Sequence, residues 1–246
     1  MRTANPALSS KSFEDLVTTD EKMTINGTVN KTALSLIILI AGAYYTWNLF
    51  YEQGDVSAVY PWMIGGGIGG FIVALITIFK KKYAPITTPI YAFLEGLLLG
   101  GLSAIFESMY PGIVIQAVAL TFGTLFSLLF AYRSGLIKVT ENFKLGVVAA
   151  TGGIMIVYLI SFVMSFFGSG LAIMDINNSS WFSIGFSLFV VVIAAMNLVL
   201  DFDFIEQGAE RGAPKYMEWY GAFGLTVTLV WLYIEILRLL AKLRGR

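Results

Sequence analysis

The sequence predicts an all-α, polytopic membrane protein with seven transmembrane helices and a cytoplasmic N-terminus. Of its 246 residues, 57% are hydrophobic and only 13% are charged, whereas soluble domains are about half apolar and about one quarter charged. Seven stretches reach the roughly 20 apolar residues that a spanning helix needs. This composition excludes a soluble enzyme and a disordered protein. The formal net charge of zero also argues against a nucleic-acid-binding protein, because no overall field attracts polyanions.

The seven spans follow a polar N-terminal segment and are separated by breaks that carry Gly, Pro or charged residues. We interpret 1–31 as a cytoplasmic tail and 32–246 as one transmembrane domain. The first apolar run is full length and lacks a small-residue cleavage site, so we expect no cleaved signal. The predicted spans are Thr32–Phe50, Tyr60–Phe79, Thr88–Phe106, Pro111–Tyr132, Leu145–Phe167, Ser180–Leu200 and Trp219–Leu240.

The distribution of Lys and Arg predicts the orientation. Twelve of the sixteen basic residues fall in the tail and in the loops after spans two, four and six, and the alternate loops carry none. Because cytoplasmic loops are enriched in Lys and Arg, we expect the N-terminus to be inside. The last four basic residues lie at the end of span seven, which places them outside. Either the earlier helices fix the topology, or the last segment is re-entrant. These four residues are Arg238, Lys242, Arg244 and Arg246.

The chain contains neither Cys nor His. This excludes disulfides, thiolate catalysis, zinc sites of the usual kind and haem ligation. The sequence also offers no recognisable motif of an intramembrane hydrolase. We therefore expect no cofactor, no catalytic residue and no enzymatic activity, and any pH response near neutrality must come from carboxyl groups.

Small residues at helical spacing predict close contacts between spans. The glycine-rich run in span two lacks the features of a phosphate-binding loop, because it follows no strand and has no Gly-Lys-Ser/Thr ending. Glycines four residues apart instead allow helix backbones to approach each other closely. The pairs are Gly65 and Gly69, Gly66 and Gly70, and Gly96 and Gly100.

Four acidic residues lie within the apolar spans or at their ends: Glu95, Asp201, Asp203 and Glu235. An ionised Asp at the centre of a membrane helix costs at least about 2.5–3.5 kcal/mol on the insertion scale. Such groups are therefore usually buried in the bundle, paired, or exposed to water in a pathway. Each of the four is a candidate site residue.

Asp201 and Asp203 lie toward the cytoplasmic end of span six. They are separated by about 200° around a helix, so they cannot share a face. One of them can face the bundle while the other faces the loop or a neighbouring helix. The alternative is an acidic helix end at the water interface.

The depth of Glu235 depends on where span seven begins. If it begins at Trp219, Glu235 lies about 24 Å along the helix and cannot meet Asp201. If Tyr216–Gly224 lies along the inner interface instead, Glu235 is only about 15 Å deep and the two carboxyls can meet. Arg238 follows three residues later, so a local helical ion pair is the alternative role for Glu235.

Two carboxyl groups at one site do not ionise together easily and can share a proton. When deprotonated, the pair attracts a hard cation such as Ca²⁺. We therefore predict that Asp201 and Glu235 form a pH sensor and a metal-binding pair. Lys80, at the cytoplasmic end of span two, is a candidate partner for Asp201, although Lys80–Lys82 can equally be a membrane anchor. Asp203 and Glu95 are candidates for the ion path, and Glu95 can alternatively hydrogen-bond as a neutral acid.

These residues carry a resemblance to a known family. The seven spans, the Lys80–Lys82 cluster, Leu200-Asp-Phe-Asp-Phe-Ile205 and Leu232-Tyr-Ile-Glu-Ile-Leu237 resemble the Bax-inhibitor-type (transmembrane Bax inhibitor motif) family, in a bacterial-like version. The resemblance extends from about Thr32 to the end of the chain. The sequence departs from the family pattern in having Leu where Tyr usually precedes the span-six Asp, Glu235 where the family has Asp, and a longer stretch between the two acids.

The resemblance implies six helices around a central seventh helix. It also implies a pH-sensitive calcium leak, in which Asp201 and Glu235 are the proton sensor and Lys80 pairs with Asp201 to steady the closed state. Lys80 has a compact ammonium charge, whereas the planar guanidinium of Arg could form two parallel hydrogen bonds with a carboxylate. The resemblance assigns no role to Asp203 or Glu95.

Three functions remain open from the sequence. The first is a pH-regulated leak for Ca²⁺, and the second is a proton-coupled cation exchanger that uses the same acids. The third is a membrane-embedded regulator that binds another membrane protein, such as a quality-control protease, in stress or cell-death control, with the N-terminal tail as the expected contact. The expected partners are the lipid bilayer, calcium and protons, and not nucleic acid. The expected location is a bacterial plasma (inner) membrane.

Overall fold

The computed structural model describes residues 21–168 and 170–245, and in these residues the fold is helical. Seven helices within them are long and apolar enough to cross a membrane, which confirms the predicted all-α membrane fold. The most buried of the seven is α7. The long helices are α1 Ile25–Gln53, α2 Val56–Phe79, α3 Ala84–Met109, α4 Ile113–Arg133, α5 Glu141–Ser165, α6 Trp181–Glu210 and α7 Met217–Arg244.

The chain divides into two compact units. The α1–α3 unit contains helices α1 to α3, the end of α6 and the start of α7, over described residues 21–109 and 203–227. The α4–α5 unit contains α4, α5, most of α6 and the rest of α7, over described residues 110–168, 170–202 and 228–245. Both α6 and α7 therefore contribute residues to each unit.

Helix α1 begins at Ile25, earlier than the predicted Thr32 and inside the predicted tail. Thr24 caps the helix, because its side chain accepts a 2.9 Å hydrogen bond from the Gly27 N–H. The backbone N–H and the hydroxyl of Thr24 both donate to Oε1 of Glu218, at 3.0 and 2.9 Å. The apolar run alone does not reveal this start, since the polar cap and a carboxylate at the start of α7 define it. The tail residues 1–20 lie outside the described residues.

Helix α7 is continuous from Met217 to Arg244. The interfacial segment considered for Tyr216–Gly224 is therefore wrong, because all but its first residue belongs to the helix. The re-entrant last segment is wrong for the same reason. The helix starts three residues after Pro214, and the backbone N–H of Met217 donates to the Pro214 carbonyl at 2.9 Å.

Helix α6 extends ten residues beyond its predicted end at Leu200, to Glu210. The extension carries the polar residues Asp203 and Gln207, so hydropathy alone predicts a helix end that is too early. The chain leaves the helix at Gly212, whose φ of +66° is in the left-handed region that glycine adopts at low cost.

Glycine contacts join the three helices of the α1–α3 unit. A Cβ atom on Gly96 would lie 2.2 Å from the Leu39 carbonyl oxygen, and one on Gly100 would lie 2.0 Å from that of Ala43. A Cβ on Gly66 would lie 2.5 Å from the Leu94 carbonyl oxygen. These contacts confirm the predicted packing at those glycines. The prediction is wrong for Gly65, where an added Cβ would meet nothing within 4 Å.

Candidate functional site

A stripe of polar side chains follows one face of α7 within the α4–α5 unit. The α7 polar stripe consists of Thr228, Glu235, Arg238 and Lys242, spaced by seven, three and four residues, which is the repeat of a single helix face. It extends over about 21 Å of helix, most of the thickness of a bilayer core. Thr228, Glu235 and Lys242 are each at most 3% exposed. Such burial in a membrane-spanning helix marks a candidate site.

Asp201 on α6 faces one end of this stripe. The residue is fully buried, and the side chain of Thr228 is the polar group that interacts with it. That approach does not reach standard hydrogen-bond geometry, and neither carboxyl oxygen of Asp201 has a hydrogen-bond partner among the described residues. Buried polar groups are nearly always hydrogen-bonded, so a carboxyl left in this state indicates a functional role.

Asn197 lies one helical turn before Asp201 and is also buried. Its amide nitrogen donates to the Thr151 hydroxyl on α5 at 2.9 Å and to the Ile193 carbonyl at 2.8 Å. The amide therefore joins α5 to α6 and extends the polar surface next to Asp201. Asn197 is satisfied by these bonds, in contrast to its neighbour.

Glu235 is bound by two side chains at the middle of the stripe. The Tyr158 hydroxyl on α5 donates to its Oε1 atom at 2.6 Å, and a guanidinium N–H of Arg238 donates to the same oxygen at 3.1 Å. The Arg238 guanidinium also lies 5.8 Å from the centroid of the Tyr158 ring. The local ion pair expected from the spacing of Glu235 and Arg238 is confirmed. The cluster is asymmetric, because the Glu235 side chain is 3% exposed and that of Arg238 is 33% exposed.

The two predicted sensor carboxyls, Asp201 and Glu235, belong to the same unit. They make no hydrogen bond to each other, because Asp201 has none. Thr228, which interacts with Asp201, precedes Glu235 by seven residues, or about 10 Å along α7. In this structure the two carboxyls are therefore separate members of one polar face.

The far end of the stripe is occupied by Lys242. Its ammonium donates to the Ile173 carbonyl at 2.7 Å and to the Ser187 hydroxyl at 2.9 Å, and it lies 3.5 Å from the Ser183 carbonyl oxygen. Arg244, one residue from the described end, donates to the carbonyls of Tyr110 and Pro111. These basic residues therefore bind the connections before α4 and α6, which accounts for positive charge at the end of span seven.

The other predicted site residues belong to the α1–α3 unit. Lys80 is exposed, and its ammonium lies 6.0 Å from the centroid of the Tyr83 ring. Asp203 accepts a 2.6 Å hydrogen bond from Gln207, one turn later on α6. Glu95 is buried and hydrogen-bonds with Tyr91, one turn earlier on α3. The bond of Glu95 fits its alternative as a hydrogen-bonded group within the bundle, whereas Asp203 does not lie at a helix end, because α6 continues to Glu210. The ion-path role of both residues stays a prediction.

A resident metal would need several donors in one place. Among residues 21–168 and 170–245, no group of three or more Asp or Glu side chains is arranged to hold a metal ion.

Sequence reasoning missed several members of the site. Tyr158 and Asn197 contact it from other helices, and no local pattern reveals those contacts. Thr228 and Lys242 could have been found, because both share the helical face of Glu235. In the sequence, Lys242 stands among the basic residues at the end of span seven, and those residues suggest only a charged helix end.

Comparison with known proteins supports the resemblance seen in the motifs. A family model described as "Bax inhibitor 1 like" matches residues 5–245, nearly the whole chain. Neither a curated protein nor a solved structure matches the chain significantly.

Proposed function

The chain belongs to the Bax inhibitor 1-like family of membrane proteins, and from this premise we propose that it is a pH-sensitive leak for cations, with Ca²⁺ as the principal ion. Its environment is the lipid bilayer that the seven apolar helices span. We further propose that this bilayer is a bacterial plasma membrane. The N-terminus is proposed to be cytoplasmic, because the distribution of Lys and Arg favours that orientation.

The observation that carries the proposal is the state of Asp201. Its carboxyl is fully buried, and neither oxygen has a hydrogen-bond partner among the described residues. An ionised carboxylate in such a place is costly unless water or a cation reaches it. Asp201 is thus a group whose ionisation favours the entry of a cation.

The charges along the stripe suggest how protons control this entry. Asp201 and Glu235 bring two negative charges when ionised, and Arg238 and Lys242 bring two positive charges. With both carboxyls protonated, the positive charges remain and repel a cation in this poorly screened setting. With both ionised, the charges balance and Asp201 offers oxygen ligands. We therefore expect cation flux to rise with pH.

Ca²⁺ flux into proteoliposomes, measured between about pH 5 and pH 8, tests the proposal. The wild type should show a flux that rises with pH. The double variant Asp201→Asn with Glu235→Gln replaces both carboxyl groups with amides at nearly constant volume and should flatten the profile. Asp203→Asn is the matched control, because Asp203 is bonded to Gln207, and it should keep the wild-type profile. A pH dependence that persists in the double variant would contradict the proposal.

A proton-coupled exchanger would use the same carboxyls but would behave differently under a gradient. An imposed proton gradient would drive Ca²⁺ against its own gradient in an exchanger, and a leak cannot do this. We expect only downhill flux. Uphill accumulation that depends on Asp201 would replace the leak with the exchanger.

A further inference from the structure

Lys242 is a buried lysine whose three close partners are neutral oxygens. It is 2% exposed, although long basic side chains at helix ends usually extend to the interface. Its partners are two backbone carbonyls, of Ile173 and Ser183, and the Ser187 hydroxyl. Among the charged groups, Arg238 repels the ammonium, and the carboxylates Glu235 and Asp175 attract it at longer range. The Lys242 ammonium is thus in direct contact with carbonyl and hydroxyl oxygens and not with a carboxylate.

The three oxygens belong to parts of the chain other than α7, the helix that carries Lys242. Ile173 belongs to the short helical turn Ala172–Met174 before α6, and both serines belong to the first two turns of α6. Ser187 and Ser183 are at most 3% exposed. Carbonyl and hydroxyl oxygens in a buried setting are the ligands that membrane proteins use for desolvated alkali cations.

The position of the ammonium matters because it ends the α7 polar stripe. Glu235 and Arg238 precede it by seven and four residues on the same helix face. A cation that moves along this stripe meets the Lys242 ammonium. The oxygens that would otherwise bind the cation already bind this ammonium.

We propose that Ile173, Ser183 and Ser187 form an alkali-cation site that the Lys242 ammonium fills as a tethered cation. Lys242 is then a specificity-determining residue, because it prevents free Na⁺ from entering the stripe at this end. The specificity role of Lys242 rests on the proposed leak, whereas the alkali-cation site does not.

The site is tested by replacing Lys242 with Met, which keeps most of the side-chain length and removes the charge. Thermal unfolding in detergent is compared in NaCl and in choline chloride at equal ionic strength. We expect Na⁺ to raise the Tm of the Lys242→Met variant by several degrees, because an ion that binds only the folded state stabilises it. The wild type should show no such difference, since its own ammonium fills the site. Arg244→Met, which removes a neighbouring charge, is the matched control and should behave like the wild type.

A second variant keeps the site testable if Lys242→Met does not fold. Lys242→Gln is compared in the same two salts, and recovery of folded protein from membranes is the readout if purification in choline fails. Recovery of either variant only in Na⁺ supports the site. Equal Tm values in Na⁺ and choline, or loss of both variants in both salts, would overturn it.

Flux separates this inference from the proposed function. In proteoliposomes, Lys242→Met should gain a Na⁺ flux that the wild type lacks. If the wild type conducts no Ca²⁺, the leak fails, but the Na⁺ dependence of the variant's Tm still decides the site. If the wild type conducts Ca²⁺ and Lys242→Met gains no Na⁺ flux, the specificity role fails alone.

Discussion

The Tyr158 hydroxyl donates a 2.6 Å hydrogen bond to Oε1 of Glu235 and so connects α5 to the buried carboxylate of α7. The two residues are 77 positions apart in the chain. Tyr158 packs against a cluster of buried apolar side chains, Ile154 on α5 and Val190 and Ile193 on α6. A polar bond in such a setting fixes the relative position of the helices that it joins.

Replacing Tyr158 with Phe removes the hydroxyl that donates this hydrogen bond and keeps the aromatic ring. We expect a loss of about 1 kcal/mol in the free energy of unfolding, as found for interhelical hydrogen bonds in membranes and for single hydrogen bonds in general. Thermal or denaturant unfolding in detergent measures the change. Tyr44→Phe is the matched control, because Tyr44 is 65% exposed on the outer surface of α1. Equal stability of the two variants would show that the bond contributes nothing.

Arg238 and Glu235 should act as a coupled pair. Replacing Arg238 with Gln leaves a buried carboxylate with Tyr158 as its remaining close donor, and we expect a loss of about 2 kcal/mol. The double variant Arg238→Gln with Glu235→Gln removes both charges and should be more stable than the sum of the two single effects predicts. A double-mutant cycle measures this coupling. Strict additivity would mean that the 3.1 Å contact carries no net energy.

Gly96 and Gly65 provide a matched test of helix packing in the α1–α3 unit. A Cβ on Gly96 would collide with the Leu39 carbonyl oxygen, whereas one on Gly65 would meet nothing within 4 Å. Gly96→Ala should therefore destabilise the protein by about 1–3 kcal/mol through overpacking. Gly65→Ala should be neutral or slightly stabilising, because Ala is the better helix former. Similar effects of the two substitutions would argue against the tight contact between α1 and α3.

Glu218 links the beginnings of α1 and α7, and its loss should weaken both. Its carboxylate accepts two hydrogen bonds from Thr24 and pairs with the Lys31 ammonium at 3.1 Å. Because the carboxylate is fully buried, we expect Glu218→Gln to cost about 2 kcal/mol. Gly27→Ala should act in the same direction, since its Cβ would occupy the position of the carboxylate. Proteolysis near residue 24 measures fraying of the start of α1. Unchanged cleavage in both variants would contradict the linkage.

Hydropathy predicted the number and approximate positions of the helices because each span must satisfy its own backbone hydrogen bonds in lipid. The pairing of Glu235 with Arg238 was predictable from a spacing of three residues on a helix. The start of α1 at Ile25 was not, because it depends on a cap and on Glu218, far away in the chain. The Tyr158 donor of Glu235 and the oxygens bound by Lys242 come from other parts of the chain, so only the folded packing reveals them.

The central claim is that Asp201 and Glu235 act as one proton-sensing unit on the α7 polar stripe. The most direct test measures the pH dependence of Ca²⁺ flux in proteoliposomes for Asp201→Asn, Glu235→Gln and the double variant. If the carboxyls act as one unit, either single change should flatten the pH profile nearly as much as both together, because the remaining carboxyl no longer balances both positive charges of the stripe. Two independent partial effects that add in the double variant, or a profile unchanged in all three, would contradict the claim.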